Sequence, residues 1–306
     1  MGLTYQLNRR DFGRASAIAA VAASSLPAAE SRGYIDAHVH VWTPDTQTYP
    51  LHNSFSKEQM QPPSFTPEQL FSHCKPVGVD RIVLIQMSFY RFDNSYMLDM
   101  MAKHPGVFSG VAVIDENARP GREMVRLARH GVRGFRIRPH AQTPDQWLEG
   151  EGMHQMWKAG AKHGLAMCHL IDAKFLDSVD KMCTRYPETP VVIDHFARIG
   201  VDGEIREQDV ASLCKLASHK NVSVKISAYY ALGKKAAPYH DLQPMIKACI
   251  DAYGVERLMW ASDGPFQVVS GHQYEPSINL IKNADFLSAG DKEWLLRRTA
   301  ERVFYS

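Results

Sequence analysis

Short apolar runs rich in β-branched residues alternate with helical patterns along most of the chain. The runs predict strands at Tyr34–Val41, Arg81–Met87, Phe108–Ile114, Val132–Arg138, Leu165–Leu170, Val191–Phe196, Val222–Ser227 and Leu258–Ser262. Stretches such as Val83-Leu84-Ile85 and Val191-Val192-Ile193 are apolar without alternation, as strands covered on both faces are. The segments between them carry helical periodicity: Ser95–Lys103, Arg122–His130, His154–His163, Phe175–Arg185, Asp209–Ser218, Pro244–Tyr253 and a last helix from about Asp291 to Phe304. In that last helix Leu296, Ala300, Val303 and Phe304 fall on one face. Eight strands each followed by a helix predict the α/β class and a single-domain (β/α)8 TIM barrel, whose chemistry sits at the C-terminal strand ends.

Local signals sharpen the boundaries. Thr66-Pro67-Glu68-Gln69 reads as a capping box with proline at the first helical position, flanked by Phe65 and Leu70 as a hydrophobic staple. Gly106, Gly131, Gly164 and Gly254 follow helical stretches and precede strands, where a left-handed terminating residue is expected. Two connections are long, Thr43 to Phe65 after the first strand and Gly264 to Pro276 after the last. Both leave strand C-termini, so both are expected to cover the active site.

Composition adds little to the fold but restricts the partners. Among 306 residues, 45% are hydrophobic and the formal net charge is +2. No basic block is interleaved with aromatics, which argues against nucleic acid as a main partner. The first thirty residues differ from the rest. Asn8-Arg9-Arg10-Asp11-Phe12 precedes the small apolar run Ala15 to Ala23 and Pro27-Ala28-Ala29. That pattern predicts a twin-arginine-type signal segment over 1–30 and a barrel over 31–306 that is exported, in bacteria to the periplasm. No apolar run reaches the ~20 residues needed to span a bilayer as a helix. The five cysteines are scattered, with no Cys-x-x-Cys, and read as buried thiols rather than a disulfide framework or a zinc–thiolate site.

The chemistry lies at the strand ends. In His38-Val39-His40 residues i and i+2 share a face, so two imidazoles point the same way. His169 closes the fifth strand, His195 closes the sixth, and Asp263 follows the eighth. A barrel brings these ends to one rim. Imidazoles with a carboxylate there suit Zn²⁺ or a similar first-row ion such as Mn²⁺, with His38, His40, His169, His195 and Asp263 as candidate ligands.

With Asp36-Ala37-His38-Val39-His40 opening the first strand, His169 and His195 at strand ends and Asp263 at the last, the chain resembles the amidohydrolase superfamily over essentially all of its length after the signal segment. Finer features resemble the branch of sugar-lactone and pyrone-dicarboxylate lactonases: Trp42, Tyr49-Pro50, Gly78-Val79-Asp80-Arg81, Ile193-Asp194-His195, Lys225-Ile226-Ser227 and Ser262-Asp263-Gly264-Pro265. Strand four, Val132 to Arg138, lacks the lysine that binuclear members carboxylate, so the resemblance implies a single metal. His169 is more typical of mononuclear members, decarboxylases included, and Gly264 stands where the lactonase branch often has tryptophan.

These residues imply a metal-dependent hydrolase acting on a small carboxylate or lactone. A single metal held by His38, His40, His169 and Asp263 would acidify water, Asp263 would take its proton and pass it to the leaving alkoxide, and His195 would orient the water or stabilise the oxyanion. Arg136 and Arg138 point inward by alternation and are expected to grip a substrate carboxylate or to pair with an acidic neighbour. Lys225 is expected as a substrate contact or as the partner of a core carboxylate, and Trp42 as a wall for a ring-shaped substrate. Two alternatives stand beside the lactonase. One is non-oxidative decarboxylation with the same ligands, and the other is a non-catalytic binding barrel.

Overall fold

A computed structural model describes residues 1, 33–139, 143 and 146–306. The signal segment expected over 1–30 lies outside the described residues, apart from Met1. Gly33–Ser306 forms one compact unit. Its strands are β1 (Tyr34–Val39), β2 (Val79–Ile85), β3 (Phe108–Ala112), β4 (Val132–Ile137), β5 (Ala166–His169), β6 (Val191–Ile193), β7 (Val222–Ser227) and β8 (Leu258–Ala261). They pair in sequence order, all parallel, as the (β/α)8 reading requires. The outer helices are α1 (Pro67–Cys74), α2 (Ser95–Lys103), α3 (Pro120–Ala128), α4 (Glu151–His163), α5 (Leu176–Arg185), α6 (Glu207–Lys215), α7 (Gln243–Tyr253), α8 (Tyr274–Lys282), α9 (Ala289–Glu293) and α10 (Thr299–Phe304). None of the described helices is long and apolar enough to cross a membrane.

The expected caps form. Gln69 N–H donates to Thr66 Oγ1 while Gln69 Oε1 accepts from Thr66 N–H at 2.7 Å, which fixes the start of α1. Gly164, at φ +64°, ends α4 in the left-handed region before β5. All five cysteines are free thiols and four are buried. The helix α8 was not expected, because Pro276 reads as part of a loop. It stands in the first turn, where the missing N–H costs nothing. The last helical run is interrupted by a π turn at Trp294–Arg298. Leu295 and Leu296 pack in the layer between strands and helices, while Ala300 and Phe304 join the residues filling the barrel.

The barrel interior is packed, not hollow. Ile35, Ala37, Val83, Ile85, Val111, Ala166, Cys168, Val192, Met259 and Ala261 fill it, with Phe304 among them. Nothing this well packed leaves room for substrate, so the space for chemistry is confined to the mouth.

β1 and β8 are joined at that mouth. Asp263 N–H donates to His38 O at 2.9 Å, His40 N–H donates to Gly264 O at 2.8 Å, and Val39 bridges Gly264. The pairing of β1 with β2 slips between Asp36 and Val39. Asp36 sits at that slip, fully buried. Its Oδ1 accepts from Ser262 N–H at 2.9 Å and His38 N–H at 3.2 Å, and its Oδ2 accepts from Tyr274 Oη–H of α8 at 2.5 Å. One carboxylate thus ties the first strand, the last strand and the helix that follows.

Replacing Asp36 with Ala leaves three buried donors without an acceptor, and stability should fall by about 3–5 kcal/mol. Asp36→Asn keeps one carbonyl oxygen and should lose less. Urea denaturation measures both, and a loss below about 1 kcal/mol for Asp36→Ala would refute the role given to this carboxylate.

Candidate metal centre and active-site cavity

His38 and His40 project from β1 into the mouth, as their spacing predicts. Their Nε2 atoms lie 3.3 Å apart. Asp263 Oδ1 stands 3.5 Å from His38 Nε2 and 3.4 Å from His40 Nε2, and Asp263 Oδ2 stands 3.8 Å from His195 Nε2. The rings of His38 and His195 are 4.3 Å apart between centroids. His38, His195 and Asp263 each offer a ligand atom within 4.8 Å of the others.

The second nitrogen of each imidazole is also engaged. His40 Nδ1 meets Ile85 O at 2.8 Å, and a carbonyl can only accept, so the proton is on Nδ1 and Nε2 presents its lone pair. His195 Nδ1 lies 2.8 Å from Ser227 Oγ, whose hydroxyl donates to Lys225 O, which gives His195 the same tautomer. His38 Nδ1 lies between a donor, Lys225 Nζ at 3.2 Å, and an acceptor, Asp194 Oδ1 at 3.5 Å, and with its proton directed to Asp194 its Nε2 would be free for a cation. Burial, then Lys225 and His195, hold His38 well below its ordinary pKa, and burial likewise lowers His195. For Asp263 burial acts in the opposite direction, but the surrounding imidazoles of His195, His40 and His38 outweigh it and the carboxyl titrates below its usual range. Neutral imidazoles and an ionised carboxylate are the protonation states that a cation requires. Asp263 Oδ1, buried, has no hydrogen-bond donor among the described residues. Ligand atoms this close fit a divalent cation held by His38, His40 and Asp263, with His195 at its edge.

His169 does not join this group. Cys168 takes the inward position on β5, so His169 faces outward, its ring 5.5 Å from that of Trp147 and 5.6 Å from that of Trp157. The expectation of His169 beside His38 fails on side-chain parity: His169 ends β5, but on its outward face. His195 shows the opposite outcome. Val192 lies in the barrel interior and the Asp194 carboxylate meets inward-facing Lys225, so an extended continuation would turn His195 away. Instead β6 stops at Ile193, and His195, Phe196, Ala197 and Arg198 all adopt φ between 51° and 55°. This left-handed turn contains no glycine and returns His195 to the mouth.

Lys225 is wholly buried, with Nζ 3.0 Å from Asp194 Oδ1 and 3.2 Å from His38 Nδ1. Of its two expected roles the structure shows the second, the partner of a core carboxylate, and it offers no surface to substrate. Burial opposes ionisation of Asp194, but Lys225, then His38 and Arg136, hold its carboxyl well below the ordinary range. Trp42 is also fully buried, with Nε1 donating to Pro62 O at 2.9 Å. It supports the wall through Phe266 rather than forming it. Arg136 does line the cavity, and its Nη2 lies 3.9 Å from Asp194 Oδ2. Arg138 is exposed, with Nη1 donating to Ser88 Oγ at 3.2 Å.

Two functional groups had no clear sequence signal. Tyr230 Oη–H donates to Asp263 Oδ2 at 2.7 Å and orients the carboxylate. Asp194 lies 3.5 Å behind His38 Nδ1 and 3.0 Å from Lys225 Nζ, and only its place beside His195 at a strand end hinted at this. The cavity above the cluster measures about 240 Å³ and is lined by His40, Arg136, His195, Tyr230, Asp263 and Phe266, among others.

Comparison with known proteins identifies the family and the fold. The model of the amidohydrolase family described as "Amidohydrolase" matches residues 35–305. The chain is 28% identical to an L-fucono-1,5-lactonase of Burkholderia ambifaria, over 78% of this chain and 82% of that protein. It is 26% identical to a 4-sulfomuconolactone hydrolase of Rhizobium radiobacter, over 76% of each. A solved Pseudomonas putida structure, described as a 2-pyrone-4,6-dicarboxylic acid hydrolase, superposes with a TM-score of 0.74 at 25% identity, covering 90% of this chain and 98% of that one.

Elemental analysis of protein dialysed against Zn²⁺ or Mn²⁺ should find about one ion per chain, and His38→Ala or Asp263→Ala should abolish it. Tyr230→Phe should weaken the affinity by roughly 10–100-fold, as loss of a partner that orients a ligand does. Because burial lowers the pKa of His38 and of His195, neither ring should cause a fall in affinity between pH 8 and about 6.5. A steep fall across that window would contradict the protonation states assigned here.

Proposed function

The chain belongs to the amidohydrolase family, and within it we propose a metal-dependent hydrolase that opens a lactone ring, that of a sugar acid or of an aromatic breakdown product. The observation that carries this reading is the convergence of the His38 and His40 Nε2 atoms on Asp263 Oδ1, with Arg136 lining the same cavity. Named relatives that act on lactones support it.

His38, His40 and Asp263 would hold the ion, and imidazole with carboxylate favours Zn²⁺ over Mg²⁺ or Ca²⁺. When bound, such an ion polarises the ester carbonyl and lowers the pKa of water. The remaining work belongs to the chain. Asp263, ionised and held by Tyr230, accepts a proton from the attacking water and returns it to the ring oxygen as that bond breaks. His195 Nε2, neutral and aimed into the mouth, accepts a hydrogen bond from the water and orients it. The Arg136 guanidinium offers donors to a carboxylate on the substrate. Non-oxidative decarboxylation, the alternative suggested by His169, has lost that support, since the ring faces the helix layer. The ligand set also leaves a purely binding barrel without an observation in its favour. The proposal extends to location, with Arg9-Arg10 read as a twin-arginine export signal and the enzyme acting in the periplasm.

The metal-loaded protein should hydrolyse lactones of sugar acids or of unsaturated dicarboxylic acids, with acid release and no carbon dioxide. Asp263→Asn should reduce kcat by roughly 10²–10⁴. Carbon dioxide evolved from benzoate-type acids without ring opening would overturn the lactonase reading. For export, fractionation of cells should show the protein in the periplasm and the Arg9→Lys, Arg10→Lys double variant in the cytoplasm. An unchanged distribution would remove the signal assignment.

A further inference from the structure

The cavity above the metal cluster shares Ser88 and Arg136 with a second cavity of about 270 Å³. Residues just beyond β2 and β3, the end of β4 and one face of α4 form this neighbour. At about 240 Å³ the first cavity falls below the roughly 300–1,000 Å³ typical of small-molecule sites, whereas the two joined fall within it.

The lining of the second cavity is asymmetric. Phe55, Ile114, Met153 and Met156 make an apolar wall. The polar groups opposite are mostly donors. Trp147 is 4% exposed, and its Nε1–H has no acceptor among the described residues. Arg136 Nε–H is likewise buried and unmatched. Arg91 and Arg138 add two cations. Gln86 donates its Nε2 to the carbonyl oxygens of Arg91 and Asp93, which leaves Oε1 as one neutral acceptor beside these cations. Glu116 is the one carboxylate among the described lining residues. A buried N–H without an acceptor is unfavourable, and a cavity that retains two is matched by acceptors on what it binds.

We propose that this second cavity receives an arm of the substrate: an apolar aryl or alkyl substituent on the lactone ring, ending in a carboxylate that Trp147 Nε1–H and the neighbouring arginines meet. The proposal rests on the lactonase reading and narrows it. A compact polyhydroxy lactone would leave the apolar wall uncovered and would offer the arginines neutral hydroxyl oxygens in place of a charged acceptor. A ring with an acid-tipped apolar arm satisfies both walls while its ester carbonyl remains over the metal cluster. Trp147 and Ile114 then determine specificity.

Three δ-lactones test this with the metal-loaded enzyme: one bearing a 4-carboxyphenyl arm, one a phenyl arm, and one unsubstituted. kcat/KM should rise at least tenfold from the unsubstituted to the phenyl compound, and again to the carboxyphenyl compound. Trp147→Phe keeps an aromatic ring but removes the N–H, and should erase the carboxyphenyl-over-phenyl ratio. Ile114→Trp fills the cavity and should erase the phenyl-over-unsubstituted ratio. Equal kcat/KM for all three lactones would overturn the proposal. If none is hydrolysed, the lactonase reading fails, and calorimetry with the corresponding ring-opened hydroxy acids decides the cavity separately. Binding of the carboxyphenyl acid at least tenfold tighter than the unsubstituted acid, lost in Trp147→Phe, supports it, and equal binding overturns it.

Discussion

The functional architecture depends on the seam where the first strand meets the last. Asp36 accepts hydrogen bonds from the backbone of both strands and from Tyr274 of α8, so one buried carboxylate fixes the alignment of β1 and β8 at the mouth. The two backbone hydrogen bonds that complete the seam involve His38, His40, Asp263 and Gly264. The residues proposed to gather a cation are therefore the residues that close the barrel. Metal affinity and closure are coupled by construction, since anything that opens the seam moves His38 away from Asp263.

Beneath the seam lies a buried ion pair, Asp194 with Lys225, and beneath that the ring of Phe304, with Lys225 Nζ 5.3 Å from its centroid. A buried pair of this kind gives little net stability, because desolvation offsets most of the attraction. Its value here is positional. Asp194 Oδ1 stands behind His38 Nδ1, as Ile85 O stands behind His40 Nδ1 and Ser227 Oγ behind His195 Nδ1. The rings of His40 and His195 are thus held from the side away from the cavity, leaving Nε2 free to act, while His38 Nδ1 faces both Asp194 and Lys225.

Strain concentrates at the same rim. His195 through Arg198, Ala228 and Asp263 all have φ between 51° and 65° without being glycine. Each such residue costs roughly 1–2 kcal/mol. They follow β6, β7 and β8 in turn, and two of them carry site side chains. The surrounding packing imposes these conformations, and in return His195 and Asp263 are aimed into the mouth before any ligand arrives.

The sequence alone determined the barrel, its strand order and the placement of His38, His40 and Asp263 at one rim. Those features follow from local rules: apolar runs mark buried strands, glycines end helices, and residues two apart share a face. The tertiary structure decided the rest. It turned His169 toward the helices and brought His195 inward by a left-handed turn that no glycine announces. It made Lys225 the partner of Asp194, started α8 around Pro276, and set a donor-rich cavity beside the metal cluster. A strand's pattern fixes which side chains alternate but not where the strand stops or how the chain leaves it. Those choices depend on contacts between residues far apart in sequence, which exist only once the barrel has closed.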